Sequence, residues 1–160
     1  MTTELTRPGE AAGGNRAGTT AGTEPDVAVG VTAPAIGAVR VEKVRVATVT
    51  LTVEVADTPA AWARGLMGRT YLPAGTGMLF VFHGESTDGF YMYRTLLPLS
   101  LVFIRYGHVV AVREMTPCVE NDPDRCEIYR AGTAYTEAVE APAGTFTDAG
   151  TRPGDVIDFD

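Results

Sequence analysis

The residues able to do chemistry are few and scattered. His83 sits at an expected strand end and His108 at an expected hairpin turn. Zinc sites gather three or four His, Cys or carboxylate ligands, so two separated histidines read as solvated turn residues and no metal is expected. No G-x-S-x-G elbow is present, and nothing sets Cys118 beside a histidine. A nucleophile–base pair is therefore not visible. Cys118 and Cys126 flank the acidic turn VENDPDR. They are either one loop disulfide or two free thiols. A disulfide there would contribute roughly 2–3 kcal/mol. Two thiolates alone leave a metal site incomplete, and the spacing is not that of a Cys-x-x-Cys redox pair.

Carboxylates offer another route. Glu114, Glu137, Glu140, Asp155 and Asp158 lie on or near expected strands. Glu140 stands out because its neighbours Val139 and Ala141 belong to a strand with apolar alternate positions. A carboxylate there is partly buried and needs a partner. Arg69, just past a short helix, or Arg94, in an aromatic strand, could supply it. The pair would then be either a structural ion pair or a perturbed acid or base in a pocket. The segment GFYMYRT concentrates aromatic residues. On a strand, Phe90, Met92 and Arg94 face one way and Tyr91, Tyr93 and Thr95 the other. One face is core. The other is expected to present an aromatic surface to an apolar ligand or partner.

The elements that must position these residues are mostly strands. Residues 1–39 are rich in Gly, Ala, Thr and Pro and have no aromatic residue, so this leader is expected to be disordered. Order is expected over 40–160. Val44 to Ala56 alternates β-branched and polar residues and reads as one strand. Asp57-Thr58-Pro59 reads as a helix start, and the helix is expected to run from about Pro59 to Gly68, burying Trp62, Leu66 and Met67. Further strands are expected at Gly77 to Phe82, Phe90 to Thr95, Leu97 to Tyr106, Val109 to Met115, Ala134 to Pro142 and Asp155 to Phe159. HGESTDG reads as a loop, and Gly107-His108 as a hairpin turn. Roughly seven to nine short strands and one short α-helix predict a mostly β domain, a compact β-sandwich or a partly open β-barrel.

Composition narrows the partners. The formal net charge is −7 with 13 Lys and Arg, and no basic cluster stands out. Nucleic acid is therefore not an expected partner. No apolar run is long enough for a membrane span. The N-terminus shows no basic n-region followed by an apolar h-region, so the chain as written reads as cytoplasmic, or as exported if its true start or processing differs. A monomer without a cofactor is expected.

Several segments together resemble one family. VEVADTPAAWARGLMGR, LPAGTGMLFVF, FYMYRTLLPLSLVFI, GHVVAVREMTPC and VEAPAGTF…GTRPGDVI occur in the order found in the DUF192 (UPF0127) family. The resemblance spans about Val44 to Phe159. It implies a compact β fold with one short helix, and no established activity, substrate or cofactor. It also implies relatives in bacteria and archaea that are often exported or lipid-anchored. The segment around Cys118, Cys126 and Tyr129 looks like exported members, where a disulfide would be natural. The family pattern near F-W-M-K-N-T followed by P-L-D is altered here. Tyr91 stands for Trp, Tyr93 for Lys, Arg94 for Asn and Ser100 for Asp, while Arg69, Met92, Thr95 and Glu140 match.

Two functions follow as expectations. One is a non-catalytic module that binds an apolar small molecule or a protein through Arg69, Tyr91, Met92, Tyr93 and Thr95. The other is a metal-independent enzyme of hydrolase, isomerase or cyclase type using Glu140 with Arg69 or Arg94 in a β-barrel pocket.

Overall fold

A computed structural model describes residues 39–160, so the expected leader falls outside the described residues except for Val39. The β-branched run beyond it folds as two strands, not one. β1 (Val41–Val46) and β2 (Val49–Ala56) pair antiparallel around Ala47 and Thr48. Ala47 takes φ 55°. That left-handed conformation ordinarily marks Gly or Asn. Neither is present, so the alternation reads straight through the turn.

The helix α1 (Pro59–Arg64) is capped by Thr58, whose Oγ1 accepts from the Ala61 N–H at 3.2 Å, and Pro59 occupies the first turn. It ends short of the expected Gly68 because Gly65 turns to φ 47°. The remaining strands are β3 (Thr76–Ser86), β4 (Leu99–Arg105), β5 (His108–Met115), β6 (Tyr135–Pro142) and β7 (Ile157–Phe159). β3 runs past the expected Phe82 through His83 to Ser86. The β4–β5 turn sits on Tyr106 and Gly107, at φ 49° and 81°, one residue earlier than expected. Two positive φ values make it a type I′ turn, whose twist suits a hairpin.

The seven strands form one sheet in the order β5-β4-β6-β3-β2-β1-β7. Only the β2–β3 pair is parallel; α1 lies in its crossover. The sheet curls until its two edges meet at one end. There Val109 N–H donates to Asp155 at 2.8 Å, Gly154 N–H to Val109 at 2.8 Å, and Ile157 N–H to Gly107 at 3.0 Å. The result is a half-barrel, the partly open member of the two expected architectures.

Both faces of the sheet are covered. The interior takes side chains from all seven strands, among them Val46, Val53, Leu79, Ile104, Val109, Val139 and Ile157. Phe146 plugs this interior from the β6–β7 connection. A polar staple holds that connection. Glu114 accepts from Ser100 Oγ, Thr147 Oγ1 and the Gly144 N–H, and Ser100 Oγ accepts from the Phe146 N–H. The opposite face carries Phe80, Leu101, Phe103 and Tyr135. It is roofed by Trp62, Leu66, Leu72, Phe90 and Met92 from α1 and the loops. β4 is therefore buried on both faces, apolar from Leu101 to Ile104 with Ser100 reserved for the staple.

Gly77 shows how closely the central strands approach. A Cβ built there would strike the backbone carbonyl of Glu140 on β6. Backbone cannot move aside as a flexible side chain can. Gly77→Ala is expected to lower unfolding free energy by roughly 1–3 kcal/mol in urea titration, an overpacking cost; a midpoint equal to the parent's would contradict this packing.

Candidate functional site

Glu140 is central to β6 and faces the roofed side of the sheet. Its cross-strand neighbours are Met78 on β3 and Leu101 on β4. Only 1% of it is exposed, and neither carboxyl oxygen has a hydrogen-bond partner among the described residues. Burial pushes its carboxyl up to about 8, so it is mostly protonated at neutral pH. Arg69 does not reach it. The Arg69 guanidinium forks onto Glu54 at 2.9 and 2.7 Å. Glu54 on β2 also pairs across to Met78, so Met78 stands between the ion pair and Glu140. Arg94 is exposed at φ 56°, with its guanidinium over the Tyr93 ring at 5.0 Å. The expected partnership of Glu140 with Arg69 or Arg94 therefore does not form. The half-exposed carboxylate of Glu54 wins Arg69 because pairing there buries the guanidinium less than joining Glu140 beneath the roof would.

The aromatic segment Phe90 to Thr95 is not a regular strand. Isolated bridges tie Phe90 to Tyr129 and Tyr93 to Cys118. Its alternation survives nonetheless. Phe90 and Met92 enter the main core, while Tyr91 and Tyr93 enter a small cluster with Cys118, Cys126, Met67 and Ile128. Cys118 and Cys126 are joined as a disulfide, with Cα atoms 5.6 Å apart. The loop they close folds over the tyrosines and leaves Tyr91 1% and Tyr93 8% exposed. Thr95 is also buried, its hydroxyl donating to the Tyr93 carbonyl at 3.4 Å. The expected open aromatic face at Tyr91, Tyr93 and Thr95 is thus covered by the chain itself, and Met92, also expected to bind, lies in the main core.

A cavity forms elsewhere, where β3 outruns its neighbour. β2 pairs with β3 only from Thr76 to Phe80 and stops at Ala56. The β3–β6 register then slips between Val81 and Ser86, with Gly84 at φ 126°. Such bulges re-aim side chains at strand ends. Trp62 of α1 closes the gap. Its indole N–H is shared between the Ala56 carbonyl at 3.0 Å and the Val81 carbonyl at 3.1 Å. The ring packs on Phe82 at 4.9 Å and beside His83 at 5.6 Å. The cavity of about 240 Å³ is lined by Trp62, Phe82, His83, Gly84, Glu85, Ser86 and Asp88.

The polar groups of this cavity are unequal. Glu85 accepts from Tyr106 Oη at 2.6 Å and Arg105 Nε at 2.9 Å, and these bonds hold its carboxyl below the usual range. Asp88 is half-buried, and no hydrogen bond or close ion pair engages its carboxylate among the described residues. Burial pushes its carboxyl up, and the charge of Arg130 only partly opposes this. His83 Nε2 lies 2.8 Å from the Asp57 carbonyl, and Ser86 Oγ accepts from the Asp88 N–H at 3.1 Å. Ser, His and Asp are all present, yet no hydrogen-bond chain links them as a catalytic triad requires. No group of three His, Cys, Asp or Glu suited to a metal occurs among the described residues. Sequence reasoning missed this cavity. The visible signals were the single tryptophan of the chain and the aromatic Phe82-His83 pair ending an apolar run.

Glu140 and the disulfide each generate a test. Between the ordinary carboxyl value of 4.5 and about 8, the native state keeps a proton that the unfolded chain has lost. Stability attributable to Glu140 therefore falls as pH rises through that window and levels off above it. Melting curves from about pH 5 to about pH 9 are expected to show a steeper decline for the parent than for Glu140→Gln; parallel declines would contradict the assignment. Replacing Cys118 and Cys126 by Ser is expected to lower stability by roughly 2–3 kcal/mol in urea titration. An unchanged midpoint would mean that the loop needs no tether.

No curated protein matches the sequence. A Sinorhizobium meliloti 1021 structure, described as a proposed transcription regulator, is similar at 30% identity, covering 76% of this chain and 95% of that one, with a TM-score of 0.68. A Novosphingobium aromaticivorans DSM 12444 protein of unknown function is similar at 25% identity, covering 86% and 99%, with a TM-score of 0.67. The model of DUF192, described as Uncharacterized ACR, matches residues 41–159. Because that match takes in every strand of the half-barrel, the chain belongs to the DUF192 family.

Proposed function

We propose that this domain is a non-catalytic binding module that holds a small molecule between Trp62 and the bulged end of β3. The observation that supports this reading is the cavity itself. Its aromatic wall is fixed by two hydrogen bonds from one indole N–H, so the shape exists before any ligand arrives. A preformed wall spares a ligand the entropy of ordering it. The mouth at His83, Gly84 and Glu85 is exposed. Its volume of about 240 Å³ is below the usual range for drug-sized ligands and suits a small one.

The enzyme reading draws no comparable support. It needs Glu140 beside an arginine, and both arginines are engaged elsewhere. The description of the Sinorhizobium meliloti protein as a proposed regulator fits a domain that senses a ligand. With a net charge of −7, this chain offers little for phosphate contacts of its own.

Trp62 is the only tryptophan, so its fluorescence reports this cavity alone. A panel of small cations, neutral molecules and anions is expected to yield ligands that shift that fluorescence. At about 100-fold above Kd, such a ligand should raise the melting temperature by on the order of 10 °C. Stabilising ligands that leave the tryptophan signal untouched would place binding elsewhere, and a panel without any response would contradict the reading.

A further inference from the structure

We infer that the cavity between Trp62, Phe82 and Asp88 selects a small organic cation, an amine or quaternary ammonium group. The inference rests on the binding-module reading and names the ligand class of that same site.

The walls favour positive charge. Aromatic faces carry the negative lobe of the ring quadrupole and attract cations placed over them. Trp62 and Phe82 stand at 41° to each other with centroids 4.9 Å apart, and the His83 ring stands at 49° to Trp62. The rings pack on one another, so a compact head group would sit not between them but in the cavity that they line together with Asp88.

The carboxylates differ in what they still need. Glu85 is already engaged by Tyr106 and Arg105 at the rim. Asp88 is half-buried without a close counter-charge, since Arg130 lies beyond ion-pair distance. A carboxylate taken partly out of water costs free energy unless a cation or hydrogen-bond donors compensate. A ligand ammonium in the cavity supplies that missing charge. One such carboxylate matches one positive charge.

Competing ligand classes fit less well. No Lys or Arg lines the cavity, so an anion would meet no cationic partner. The net charge of −7 also repels anions and concentrates cations around the protein. An inorganic cation would want an oxygen-rich cage, and no metal-capable cluster occurs among the described residues.

The probe is choline, compared with its neutral tert-butyl isostere and with pivalate, an anion of like bulk. Each is titrated against the full chain while Trp62 fluorescence is read. Choline is expected to give a saturable change, the neutral isostere to bind about tenfold more weakly, and pivalate to give none. Asp88→Asn is expected to weaken choline about tenfold, to leave the neutral isostere unaffected, and to melt no lower than the parent, because it removes an uncompensated charge. Equal affinity for choline and its neutral isostere would overturn the cation inference while leaving the binding site in place. An Asp88→Asn variant that binds choline like the parent would overturn it too. No response to any of the three would overturn both the inference and the reading beneath it.

Discussion

The structure turns on one indole hydrogen. β3 is longer than the strand beside it, and where β2 ends at Ala56 the carbonyls of Ala56 and Val81 face a gap in the ladder. A backbone polar group left bare inside a protein is costly, so something must donate there. Trp62 donates to both, at 3.0 and 3.1 Å. That bond explains why a helix of only six residues sits in the crossover. Thr58 caps it, Pro59 starts it, and Trp62 then projects onto the end of β2, which the chain has just left, and onto β3, which follows. The aromatic wall of the cavity is a consequence of closing the sheet.

Environment sorts three carboxyl groups of similar intrinsic acidity into three states. Glu54 is half-exposed and forked by Arg69, so it pairs at modest desolvation cost. Glu140 shares its row on the sheet, with Met78 between them, and is sealed beneath the roof. It answers burial by keeping its proton. Asp88 lies between these extremes, partly buried and facing a cavity. A group in that position gains from whatever arrives. The same logic separates the tyrosines from the tryptophan. Tyr91 and Tyr93 are roofed by the disulfide loop, whereas Trp62 keeps one side open.

Much of this fold was legible in the residues. Alternation located β2, the continuous apolar run Gly77 to Phe82 located β3, and Thr58-Pro59 located the start of α1. The misses have physical causes. Ala47 pays the strain of a left-handed turn without any glycine to announce it. Gly65 ends the helix early although Leu66 and Met67 continue its apolar character. Alternation told correctly which side chains share a side from Phe90 to Tyr93, fails at Arg94, where φ 56° lays the guanidinium over Tyr93, and carries no information on what lies over either side. The polar run from His83 to Ser86 reads as loop because a bulged strand end exposes its side chains as a loop does. Glu140 was legible as a buried carboxyl, while its lack of a partner depends on where Arg69 finds Glu54 across the fold.

The most direct measurement is hydrogen exchange at the Trp62 indole N–H, followed by NMR in the free protein. If this one donor holds the ends of β2 and β3 and fixes the cavity wall, it should exchange slowly, on the timescale of the Phe80 amide in the sheet. Exchange as fast as that of a solvent-exposed indole would contradict the account, because neither the strand junction nor a preformed cavity would then exist.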